Sequence, residues 1–86
     1  MAMIIPSQLR TYTQGRDQVD ASGTTLSEVM ADLEVQFPGL RFRVIDEKDR
    51  VRPHICLFVG STRCDDLTVP IPLEARVQIV GALSGG

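Results

Sequence analysis

One amphipathic helix can be read in this chain of 86 residues, and what flanks it narrows the folds available. Leu26, Val29, Met30, Leu33 and Phe37 recur at the three-and-four spacing that lines one helix face, with Ser27, Glu28, Asp32, Glu34 and Gln36 around the rest. Thr25-Leu26-Ser27-Glu28 has the form of a capping box, in which Thr25 accepts a first-turn amide and Glu28 reaches back to the cap. Pro38-Gly39 then ends the helix. No second window of this kind follows, because the stretch Leu67 to Leu73 contains Pro70 and Pro72.

Extended segments stand on both sides of the helix. Met3 to Thr11 and Gln18 to Ala21 read as a hairpin across the turn-prone Thr13-Gln14-Gly15-Arg16. Pro6 cannot donate to a strand ladder, so a bulge, an edge or an irregular start is expected there. Beyond the helix, Arg41 to Arg52 reads as a charged, solvated connection. Ile55, Leu57 and Val59 then alternate with His54, Cys56 and Phe58, which sends the first set to the core and Phe58 to the opposite face. Gly60-Ser61 is a turn, and Arg76 to Val80 is the last strand with Val77 and Ile79 inward. The order β-β-α-β-β predicts an α+β fold of the β-grasp type. In it a mixed four- or five-stranded sheet carries one main helix on one face, with the first and last strands adjacent and parallel. The boundaries are a folded domain over 1–81 and a tail over 82–86. A chain this short holds one core.

The composition excludes several function classes. Hydrophobic residues are 43% and charged ones 23%, the balance of a globular chain rather than a disordered one. A net charge of -2 and a pI near 5.2 give no electrostatic reason to approach nucleic acid or anionic lipid. Met1 to Pro6 does not read as a secretory signal, and no apolar run reaches the roughly 20 residues of a membrane span. Two cysteines, Cys56 and Cys64, suit a reduced, cytoplasmic setting.

Catalytic patterns are also lacking. His54 with Cys56 and Cys64 does not have the paired spacing of a metal site, so no metal is expected and His54 reads as a surface residue. Asp65 and Asp66 are adjacent and read as a turn pair. No Gly-rich phosphate loop or nucleophile elbow is present, so the chain does not read as an enzyme and should bind no cofactor itself.

The end of the chain is what remains. Gly81-Ala82-Leu83-Ser84-Gly85-Gly86 follows the last strand and contains nothing that would build another element. A terminal carboxylate that has to enter the active site of another protein is served by residues without side chains, which accept any backbone angle. Ser84, Gly85 and Gly86 also offer little apolar area against the ~1–2 kcal/mol per residue of backbone ordering, so a mobile tail is expected. A carboxylate is a poor electrophile, and chemistry on it requires activation by a partner.

Several segments in order resemble the MoaD/ThiS family of sulfur carriers, over nearly the whole chain. They are Ile5-Pro6-Ser7-Gln8-Leu9-Arg10, Thr25-Leu26-Ser27-Glu28-Val29, Phe37-Pro38-Gly39-Leu40, Arg52-Pro53-His54-Ile55 with Phe58-Val59, and Ala82-Leu83-Ser84-Gly85-Gly86. The length and the Arg41-to-Arg52 insertion are more similar to the longer members, CysO-type carriers of cysteine biosynthesis or carriers of secondary-metabolite pathways, than to compact ThiS. Gly60-Ser61-Thr62-Arg63 stands where many relatives have an Asn-Gly turn, and Thr68 to Pro72 lacks their acidic-glycine turn.

The resemblance implies a ubiquitin-like fold and a cycle. A ubiquitin-activating-like adenylyltransferase would spend ATP on the Gly86 carboxylate, and a sulfur donor would convert the adenylate to a thiocarboxylate. A client enzyme, of the cysteine synthase or molybdopterin-synthase large-subunit type, would take the sulfur. Gly85 would permit entry to both active sites, and Ser84 belongs to the same tail. Phe58, with Val80 and Leu83, is the expected partner-binding surface, since aromatic residues on an exposed face often anchor interfaces. A ubiquitin-like modifier or a plain interaction domain stays open beside the carrier, because modifiers end the same way and fold alone does not fix function.

Overall fold

The computed structural model describes residues 1–81. Its sheet has five strands: β1 (Ala2–Ile4), β2 (Gln18–Asp20), β3 (Ile55–Val59), β4 (Thr62–Arg63) and β5 (Val77–Gly81), in the order β2-β1-β5-β3-β4. β1 and β5 are adjacent and parallel, with Met3 opposite Val77, and the other pairings are antiparallel. This is the mixed sheet of a β-grasp, with the expected adjacent, parallel first and last strands. Helix α1 (Leu26–Gln36) buries Leu26, Val29, Met30 and Leu33 against Met3, Val19, Leu57, Val77 and Ile79. Each such side chain taken from water contributes about 1.5–3 kcal/mol against the entropy of ordering the chain.

Local chemistry sets the ends of α1. Thr25 Oγ1 accepts from the Glu28 amide at 3.2 Å. Glu28 reaches back one residue further than a simple capping box requires, taking the amide (2.7 Å) and hydroxyl (2.8 Å) of Thr24. The segment expected to resist helix formation is clasped to the same end: Ile71 N donates to Thr24 O at 2.7 Å and Ser27 N to Leu67 O at 2.9 Å, which buries Leu67 and Ile71.

Two expectations need correcting. The first strand does not run to Thr11. It stops at Ile4, ahead of Pro6, and the chain turns through a 3-10 helix at Ser7–Leu9 that buries Leu9. The missing proline amide ends the ladder. The charged connection from Arg41 is not all loop, because Leu40–Val44 forms a second short helix, α2, with Leu40 and Val44 buried. Five residues are too few to show a helical period, and α2 depends on tertiary support. Gly39 breaks the path between the helices at φ 96°, where glycine carries no steric penalty. The Asp46-to-Arg50 turn that follows is solvated as expected, closed by Asp46 Oδ1 on the Lys48 and Arg50 amides at 2.8 and 3.0 Å.

Candidate functional site

The two faces of the sheet differ as the alternation predicts. Ile55 and Leu57 are buried under α1, and Val59 is half-buried against the same core. On the other face lie Ile4 from β1, Cys56 and Phe58 from β3 and Val80 from β5, all half-buried and none part of the core. Cys56 pairs with Val80 across the ladder, and Phe58 pairs with Gln78, so Phe58 and Val80 are diagonal neighbours on one surface. Exposed Gln18, Asp20, Arg63 and Gln78 share that face. An apolar strip with a polar margin is the usual anatomy of a protein-docking surface.

Leu83, Ser84, Gly85 and Gly86 lie outside the described residues, and so does the expected tail mobility. What can be located is Gly81, the last described residue before them. Gly81 is the last residue of β5, opposite Ile55 of β3. Gln8, from the 3-10 turn, donates through Nε2 to Gly81 O at 3.2 Å. Arg43 and His54 border the same corner. Sequence reading passed over Gln8 and Arg43, and it placed His54 on the surface, where it is. No local signal joins Gln8 to a residue 73 positions away.

The remaining polar groups serve the fold. Asp66 accepts from the Thr68 hydroxyl at 2.6 Å and its amide at 2.9 Å, and these bonds hold its carboxyl below the usual range. Asp65 lies 3.6 Å from Arg63. Cys64 Sγ donates to Asp66 O at 3.3 Å, and both Cys56 and Cys64 are free thiols. Among the described residues no group of three or more His, Cys, Asp or Glu side chains could hold a metal ion, and no helix is long and apolar enough to cross a membrane.

No family model matches the chain. The sulfur carrier protein CysO of Mycobacterium tuberculosis is 40% identical over 87 residues, which span 95% of this chain and 94% of that protein. The chain belongs to the CysO family of sulfur carrier proteins. CysO of Mycobacterium bovis matches to the same extent. Among solved structures, a chain of the BexX/CysO complex of Amycolatopsis orientalis superimposes with a TM-score of 0.90 at 27% identity, covering 99% of this chain and 98% of that one. Mycobacterium tuberculosis CysO gives 0.88 at 29% identity, covering 95% of this chain and 98% of that one. The small archaeal modifier SAMP1 of Haloferax volcanii, at 20% identity and a TM-score of 0.76 over 99% of this chain and 97% of that one, shares the fold. The chain is therefore a ubiquitin-like β-grasp protein of the sulfur-carrier type, as its segments suggested. The relatives that establish this are sulfur carrier proteins.

Proposed function

We propose that the chain carries sulfur on Gly86 as a thiocarboxylate. A partner adenylyltransferase brings the Gly86 carboxylate onto the α-phosphorus of ATP, and pyrophosphate leaves. A reduced sulfur nucleophile then displaces AMP from the acyl-adenylate, leaving a thiocarboxylate whose sulfur a client enzyme takes. ATP belongs to the partner's site. The observation that carries this reading is the 40% identity to CysO sulfur carriers over 95% of the chain, in a sequence that ends Gly85-Gly86.

The strip of Phe58 and Val80 is the surface on which the adenylating or client enzyme sits, and Leu83 contributes to the same contact. Its support is the half-burial of Phe58 and Val80 on the face away from α1. That a similar chain was solved in a complex with BexX agrees with a function exercised through partners.

The test is intact-mass spectrometry after incubation with the adenylating enzyme, ATP and a sulfur source. The full chain should gain the mass difference between sulfur and oxygen, and a chain lacking Gly86 should gain nothing while melting at nearly the same temperature. Gly85→Val should also block loading, through an added β-branched side chain and a narrower backbone range. An unloaded full chain, or a loaded chain without Gly86, would refute the reading. Isopeptide adducts on lysines of other proteins would favour the modifier.

A further inference from the structure

Among the described residues, no carboxylate lines the small cleft beside Gly81. β1 runs beside β5 only as far as Ile4, opposite Gln78. Beyond it Pro6 has no amide for the ladder, and the side chain of Gln8 takes the place of a strand by donating to Gly81 O at 3.2 Å. A side chain on Gly81 would meet the Gln8 amide group at 3.0–3.2 Å, so the two residues are in close register. Pro6, Gln8, Arg43, His54, Ile55 and Gly81 border a hollow of about 120 Å³. Arg43 is exposed at the end of α2 and, among the described residues, enters no ion pair. Arg41, Arg50 and Arg63 are each held by an aspartate. In a chain of net charge -2, this leaves a cationic notch beside Gly81 with no carboxylate among its described lining residues.

We propose that this notch docks an acidic side chain of the protein that acts on the tail, with Arg43 as the carboxylate-binding residue and Gln8 as a positioning residue that fixes where the tail leaves the sheet. The proposal rests on the tail being the reacting end. A guanidinium matches a carboxylate through two parallel hydrogen bonds. The five residues after Gly81 reach at most about 17 Å. A contact at their root therefore confines Gly86 to a small volume around the partner's active site and raises its effective concentration there. The apolar strip on the sheet would supply burial, and the notch would supply direction.

Two measurements test this. In the first, the ¹⁵N-labelled chain is titrated with the acidic peptide acetyl-tetraglutamate amide at low salt. The Arg43 side-chain signal, the Gln8 side-chain amide and the Gly81 backbone amide should shift together. The effect should vanish in Arg43→Glu, survive in weakened form in Arg43→Lys and fade at roughly 0.5 M salt. Shifts scattered over other arginines would overturn the proposal. So would movement of the Arg43 signal when Gly86 of the free chain is amidated, because the chain's own carboxylate would then fill the notch.

In the second, loading of the tail is followed kinetically. Arg43→Glu should raise KM for the chain about tenfold, keep kcat within roughly twofold and flatten the salt dependence. Arg76→Glu, at the opposite end of β5, makes the same charge change and should leave KM near the wild-type value. Equal KM values for the two variants would overturn the docking site. If the wild-type chain never takes up sulfur, the carrier reading fails, and the peptide titration alone decides on the notch.

Discussion

The Glu34 carboxylate on α1 accepts the Gly39 amide at 2.9 Å, and its second oxygen accepts the Arg41 amide at 3.1 Å. One side chain of the first helix thus caps the second. This explains how five residues hold a helical turn that their own propensity would not. Glu34→Ala should lower stability by about 1–2 kcal/mol, the range of a lost cap with charge-assisted bonds. A urea midpoint that falls with an unchanged slope would show it, and an unchanged midpoint would mean that α2 needs no cap.

Acid should destabilise the protein through identifiable groups. Glu28 is held below the ordinary carboxylate range by the Thr24 amide and then its hydroxyl. Asp46 is lowered mainly by the Arg50 amide, and Asp66 by the Thr68 hydroxyl and amide. A carboxyl that is more acidic folded than unfolded stabilises fully above its unfolded pKa, about 4.3 for Glu and 3.9 for Asp, and that contribution is lost as pH falls through the folded value. Glu28 and Asp66 are exposed and Asp46 is only partly buried, so each effect is small. Stability should be flat near neutrality and fall from about pH 5 downward. Glu28→Gln should make that fall shallower, and an unchanged slope would show that the Thr24 bonds do not persist in solution.

Gly23 should tolerate no side chain. A methyl group there would lie 2.7 Å from Val29 N and 2.9 Å from Glu28 C, both backbone atoms of the first turn of α1, with φ at 155°. Gly23→Ala should cost ~1–3 kcal/mol by overpacking. Thermal melting would reveal it, and a wild-type transition would mean that the approach to α1 can shift without loss.

Phe58 and Leu57 are neighbours in sequence on opposite faces of the sheet. Leu57 is fully buried, so Leu57→Ala should cost about 2–5 kcal/mol. Phe58→Ala should cost less stability and weaken binding of the adenylating enzyme by about tenfold or more, as loss of an aromatic anchor does. Calorimetric titration of the two variants distinguishes the roles. Unaltered binding by Phe58→Ala would remove the strip from the interface.

The amino-acid sequence by itself determined the helix, its buried face, the inward residues of the main strands and the neighbouring of the first and last strands. The helix, its face and the inward residues follow from periodicity and capping chemistry, which are local. The strand pairing joins Met3 to Val77 and follows instead from the order of the elements and the packing of one helix on one sheet. Only the tertiary structure decided where β1 stops, that Leu40–Val44 is helical and what stands beside Gly81. Each depends on a group far away or on an interaction that no pattern of residue types encodes. Glu34 lends a carboxylate to amides beyond a helix break. Gln8 supplies, from 73 positions earlier, the hydrogen bond that a strand ended by Pro6 cannot. The notch at the root of the tail exists because α2, the 3-10 turn and the start of β3 converge there, and no single stretch of the chain contains all of its residues.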